Sequence, residues 1–210
     1  MAMYNSKERR NNQLFLRNSY EKSGIYSFPL IKKQDIDLTN LNLIAYSDTK
    51  LNDKELNKLK GVHFFIDDYR FEGVYNSPYR SLDKLKQYRF VCTPDFSIYS
   101  EMDKWRKIEN IAKNRWMGAF WQENEIFVVP TISWGKPSTF EFCFDGVEEG
   151  SIVAISTLGC KKAKRDFLIG YEEMKKKIKP QAIICFDTPF EEIKDEVIYV
   201  NYLQSRKVVR

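Results

Sequence analysis

Apolar residues in this chain come in short runs, and nearly every run ends on an acid or a hydroxyl. The runs are Leu43 to Asp48, Val62 to Asp68, Phe90 to Thr93, Ile126 to Ser133, Ser151 to Thr157, Ala182 to Asp187 and Val197 to Val200. Continuous apolar character over so few residues predicts strands covered on both faces. Between them lie segments with helical spacing. Met102, Trp105, Ile108, Ala112, Trp116 and Ala119 recur every three or four residues and predict a helix of about twenty residues with one apolar face, capped by Ser100 and Asp103. Phe167, Tyr171, Met174 and Ile178 predict a second helix from about Ala163, stopped by Pro180. Lys50 to Lys60 is charged and ends at Gly61, and the aromatic, arginine-rich stretch Tyr69 to Arg80 reads as a loop.

Strand and helix alternate, so the pattern predicts a single α/β domain over residues 21–210 with a largely parallel sheet and right-handed crossovers. Either an incomplete (βα) barrel or an open doubly wound sheet satisfies it, the first being preferred. Residues 1–20 form a polar N-terminal extension interrupted by Leu14, Phe15 and Leu16. In both architectures ligands bind at the carboxyl ends of the strands. Asp48, Asp67, Asp68, Asp95, Ser133, Thr157 and Asp187 all fall there.

Composition narrows the classes without choosing among them. With 43% hydrophobic and 30% charged residues the 210-residue chain has the makeup of a globular domain. A net charge of +5 admits an anionic partner but does not announce a dedicated nucleic-acid binder. No apolar run approaches the roughly 18 residues of a membrane span, and the polar start lacks the apolar stretch of a signal peptide, so a cytoplasmic protein is expected. Cys92, Cys143, Cys160 and Cys185 are scattered, and Cys92 and Cys185 read as buried reduced thiols. His63, the only histidine, is read at the start of its strand, away from the acidic tips, and therefore as structural. That leaves Ser97 and Ser133 without a triad base.

Three constellations carry candidate chemistry. Asp67, Asp68 and Asp95 converge as carboxylates able to hold Mg²⁺ or to divide acid and base roles, and Pro94 fixes the direction in which Asp95 leaves its strand. Ser156, Thr157 and Gly159, followed by Lys161 and Lys162 at a helix start, form a turn that can cradle phosphate, although no Walker A or Gly-x-Gly-x-x-Gly sequence is present. Tyr69, Arg70, Arg80 and Trp134 offer stacking faces and cations to nucleic acid or a partner protein. For each group the plain alternative is capping, a solvated basic turn, or a self-packed loop.

Several ordered stretches resemble a known family: Val62 to Glu72, Thr93 to Met102, Val129 to Gly135, Phe142 to Gly146 and Ser156 to Gly159. Together they look like the bacterial and phage family called domain of unknown function 4417, over about Leu14 to Tyr202. The chain departs from that pattern at Lys104, where the family is apolar, and at Asp187, where Gly is common. The resemblance implies a protein of phages or other mobile elements, in replication, host takeover or defence evasion, and carries no activity with it. The leading expectation is a metal-dependent enzyme acting on a nucleotide or nucleic-acid phosphate. Its alternatives are a non-catalytic module that grips nucleic acid or a host protein, and a small-molecule sponge.

Overall fold

The computed structural model describes residues 6–207 and Val209; the first five residues of the N-terminal extension lie outside them. Helices α1 (Ser6–Arg10) and α2 (Gln13–Leu16) precede a two-stranded antiparallel hairpin, β1 (Lys22–Ser23) and β2 (Phe28–Pro29). Then follow β3 (Leu43–Ala45), α3 (Glu55–Lys58), β4 (Gly61–His63), α4 (Glu72–Asn76), α5 (Leu82–Leu85) and β5 (Phe90–Cys92). The long helix α6 (Lys104–Glu123) leads to β6 (Val128–Val129), β7 (Ile152–Ser156), α7 (Lys164–Ile178), β8 (Ala182–Phe186), β9 (Ile198–Val200) and α8 (Tyr202–Ser205).

Strands β3 to β6 form one parallel sheet and β7 to β9 another. A parallel bridge from Thr131 to Ala154 joins them, with Ile132 N–H donating to Ala154 O at 2.8 Å. Seven parallel strands thus follow one another in chain order, as in a (βα) barrel. The barrel is not closed. Among the described residues no ladder links β9 to β3, and α8 packs beside β3 instead.

Alternation of side chains along each strand sorts the core. Leu43, Phe90, Cys92, Val129, Ile152, Ala154, Ile184, Phe186 and Val200 gather in one buried cluster inside the curl of the strands. The alternate residues face outward: Ile44, Val62 and Val91 toward α4, α5 and α6, and Val153, Ile155 and Ile183 toward α7. Gly61 belongs to this logic, because the Phe90 ring fills the space where a Cβ would stand.

Two expectations about helix α6 need correction. It starts at Lys104 with Asp103 at the N-cap position and no side-chain capping bond, so Ser100 does not begin it. Its face is also not the uniform apolar stripe predicted: Trp105 is 64% exposed, while Asn110, Asn114 and Arg115 are buried. The second half of α6 is enclosed by the hairpin, the sheet and the turn at residues 142–146, and those neighbours offer backbone carbonyls that polar side chains satisfy. In the N-terminal extension, the Arg17 guanidinium lies between the rings of Tyr75 and Trp116, 3.9 and 3.8 Å from their centroids.

Candidate functional site

A cavity of about 630 Å³ opens at the carboxyl ends of the strands, the place the alternation predicts. Its wall combines His63 at the end of β4 with Phe65 and Asp67 beyond it, Asp95 to Tyr99 after β5, and Ile132 to Trp134 after β6. Ser156 and Leu158 to Cys160 follow from β7, with Ala163 and Phe167 at the start of α7 and Tyr202 and Arg206 from α8.

Asp95 is the electrostatic centre of this cavity. Strand β5 ends at Cys92, and Thr93 continues it by accepting from Thr131 N–H at 2.7 Å while Asn114 Nδ2 donates to Pro94 O at 2.8 Å. The exit is held from both sides, so the direction of Asp95 is set. The carboxyl keeps a partial opening to the cavity but is otherwise surrounded by protein. Burial pushes its pKa up to about 7, against the opposing hydrogen bond from Ser133, and the nearby Asp68 charge adds to the rise.

The other predicted acids divide. Asp67 is exposed and lines the same cavity as Asp95. Asp68 is turned away: it accepts from Ser97 N–H at 3.0 Å and from the Ser97 hydroxyl at 2.8 Å, tying the exit of β4 to the exit of β5. Among the described residues no three His, Cys, Asp or Glu side chains come together as a metal-binding group.

The β7 turn also divides. Ser156 and Gly159 line the cavity, with Gly159 at φ +77° and the Ser156 hydroxyl accepting from Leu158 N–H at 3.1 Å. Thr157 is buried and donates to Thr188 O at 2.8 Å, bracing β7 against the β8 exit. Lys161 and Lys162 are exposed and outside the cavity wall. Of the stacking set, Arg70 and Trp134 line the cavity, whereas Tyr69, 77% exposed, and Arg80 lie outside it. Asp187 has φ +67°, a left-handed conformation that favours glycine.

Sequence reasoning placed His63 on the wrong side. The strand was read as running on through Ile66, but β4 ends at His63, which puts the ring in the cavity wall. Arg206 was also missed, and no motif marks it; it enters the wall only because α8 folds back beside β3. The four cysteines are free, with Cys92, Cys143 and Cys185 buried. Cys160 faces the cavity, and burial followed by the Asp95 charge pushes its thiol up to about 11, so it is a poor nucleophile at neutral pH.

Trp134 is held in place by its Nε1–H, which donates to Phe167 O at 3.1 Å, and by the Phe167 ring at 4.8 Å. Its indole also abuts Gly170 of α7, leaving no room there for a Cβ. Gly170→Ala is therefore expected to cost about 1–3 kcal/mol by overpacking and to swing Trp134 out of the wall. Urea unfolding together with tryptophan emission checks this: unchanged stability and emission would mean the ring is not clamped.

The family described as domain of unknown function DUF4417 matches residues 20–203. The chain is 36% identical over 204 residues to the Gene 1 protein of Mycobacterium phage L5, spanning 92% of this chain and 87% of that protein. It is 34% identical over 204 residues to the Gene 1 protein of Mycobacterium phage D29, spanning 92% and 74% respectively. No solved structure matches the chain at a significant level. Among the described residues no helix is long and apolar enough to cross a membrane. With a match that runs through every strand of both parallel sheets, the chain belongs to the DUF4417 family.

Proposed function

We propose that the cavity at the carboxyl ends of the strands binds a small phosphate-bearing ligand of nucleotide size, and that Asp95 exchanges a proton with it. The observation that carries this reading is that the largely buried Asp95 lines the same cavity as Arg70 and Arg206. A guanidinium presents donors in a fork that fits phosphate oxygens, and a desolvated carboxyl titrating near neutrality suits general acid or base work. The volume lies within the ~300–1,000 Å³ range of small-molecule sites. Trp134 and Tyr99 add aromatic surface. A Mg²⁺ ion held partly by the ligand's phosphates needs as little as one protein carboxylate, which Asp67 supplies, leaving Asp95 for the proton.

Thermal denaturation with nucleoside mono-, di- and triphosphates, with and without Mg²⁺, tests the reading. At least one should raise the midpoint of the wild-type protein, and Asp95→Asn and Arg206→Ala should lose most of that rise. If every nucleotide leaves the midpoint unmoved in both conditions, the reading fails. Conversion of the bound nucleotide marks an enzyme; its recovery unchanged marks a sponge.

A second reading is favoured by one surface feature. Tyr69 and Tyr79 are 77% and 61% exposed, beside the exposed Arg70 and Arg80. Such a surface suits single-stranded nucleic acid or a host protein, and binding to a single strand would weaken as salt rises.

A further inference from the structure

The His63 side chain is the least explained polar group in the cavity wall. It is 1% exposed, and Nδ1 accepts from Phe65 N–H at 3.2 Å. An accepting Nδ1 is unprotonated, so the neutral ring carries its proton on Nε2. That Nε2–H has no hydrogen-bond partner and touches no solvent, so a ligand in the cavity that His63 lines meets it as the ring turns toward that cavity. A buried donor left unpaired is costly, and native proteins seldom keep one without use. Phe186 lies 4.5 Å from the ring and Phe65 5.7 Å, flanking it from the β8 and β4 sides.

We infer that His63 is a ligand-binding residue of this cavity, donating as a neutral imidazole from Nε2 to an uncharged oxygen acceptor of the bound molecule, of the carbonyl type found on a nucleobase. The inference rests on the cavity being a nucleotide site and adds which end of the nucleotide goes where. The surroundings of His63 select an uncharged acceptor. Two phenyl rings border it, and Arg206 stands close enough to oppose a second positive charge. An anion drawn to this wall would pair with the permanently charged Arg206 rather than with a neutral ring. The base edge therefore meets His63, and the phosphates stay at Arg70 and Arg206 on the open side. Burial, with Arg206 adding to it, holds the imidazole near a pKa of about 3, so the donor persists throughout the physiological range.

His63 is the sole histidine of the chain, so its ring signals in a nitrogen-15 NMR spectrum are assigned without ambiguity. The probes are the common nucleoside 5′-monophosphates and inorganic phosphate, with the indole Nε1–H signal of Trp134, assigned by its loss in Trp134→Phe, reporting occupancy independently. The expected result is that a nucleotide which changes Trp134 also shifts the Nε2–H resonance, while inorganic phosphate does not. His63→Phe, folded by its melting curve, should then bind that nucleotide about tenfold more weakly, and His63→Gln, which keeps a side-chain N–H, should recover most of the loss. If a nucleotide changes Trp134 but leaves Nε2–H unmoved, and His63→Phe binds it as wild type does, the role of His63 is overturned while the cavity reading stands. If inorganic phosphate alone shifts Nε2–H, the acceptor is charged and the assigned orientation is wrong. If no nucleotide alters either signal, the cavity reading falls and this inference falls with it.

Discussion

Asp95→Asn is expected to stabilise the protein by about 2–4 kcal/mol at pH 8 and by less than about 1 kcal/mol at pH 4. The folded pKa of Asp95 is raised to about 7, well above its value in an unfolded chain. Between those two values the native state holds a proton that the unfolded state has lost, so raising the pH through this window drains stability. Below the unfolded pKa the side chain is neutral in both states and costs nothing. The full shift converts to about 4 kcal/mol, and the opening of the carboxyl to the cavity argues for a smaller figure. Asn keeps the shape and accepts the Ser133 hydrogen bond without the charge. His63 acts in the opposite sense, because its depressed pKa makes stability fall as pH drops from its unfolded pKa toward about 3. Both proteins carry His63, so the difference between their urea midpoints at the two pH values isolates Asp95. An equal gain at both, or a loss at pH 8, would show that Asp95 is not desolvated. A stabilising change that weakens ligand binding is the signature of a group kept for function at a cost to the fold.

The largest loss of stability is expected at Arg115, with Arg115→Ala costing on the order of 3–5 kcal/mol. Arg115 is fully buried and, among the described residues, forms no ion pair with a carboxylate. Its fork instead satisfies carbonyls: Nε–H donates to Asp145 O at 2.8 Å and Nη2 to Cys143 O at 2.7 Å. Nη1 donates to Asn114 Oδ1 at 2.5 Å and to Thr131 O at 3.3 Å. The carbonyls of Asp145 and Cys143 belong to the turn before Gly146 and that of Thr131 to the bridge joining the two sheets, so one side chain ties α6 to both. Gly146, at φ +78°, could not carry a Cβ without meeting Arg115 Cγ and Pro29 O, each 2.9 Å away. Burial lowers the guanidinium pKa to about 10, so it remains charged at neutral pH. Truncation leaves a cavity and several carbonyls unpaired, and Arg115→Lys should recover only part of the loss because an ammonium lacks the planar fork. Denaturant unfolding of the two variants measures this. Losses below about 1 kcal/mol would place Arg115 among ordinary surface contacts.

Periodicity carried the second half of the fold well. The runs predicting β7, α7, β8 and β9 coincide with Ile152–Ser156, Lys164–Ile178, Ala182–Phe186 and Ile198–Val200 to within a residue or two. Of the polar strand exits expected on one rim, Asp67, Asp95 and Ser133 line the cavity, whereas Asp48, Asp68, Thr157 and Asp187 do not. What periodicity could not see is where an apolar run stops being a strand. Phe64, Phe65 and Ile66 look like more of β4, yet they pack as an exit segment, and this displaced His63 to the wrong end of the layout. Nor does helical spacing reveal that Asn110, Asn114 and Arg115 are wanted inside, since that demand comes from carbonyls supplied by residues far along the chain. The orientations of Asp68 toward Ser97 and of Thr157 toward Thr188 are likewise set by contacts between exits of different strands. Charge runs mislead for a related reason: Lys161 and Lys162 sit beside the cavity in sequence but face solvent, while the cations in its wall, Arg70 and Arg206, come from distant segments.

Native mass spectrometry of the full chain with added nucleoside phosphates tests the assignment of the working site most directly. The cavity reading predicts a non-covalent, phosphate-bearing mass of one nucleotide on the wild-type protein, diminished in Asp95→Asn and lost in Arg206→Ala. A wild-type protein that stays at its bare mass with every nucleotide, or an adduct that survives undiminished in both variants, would contradict it.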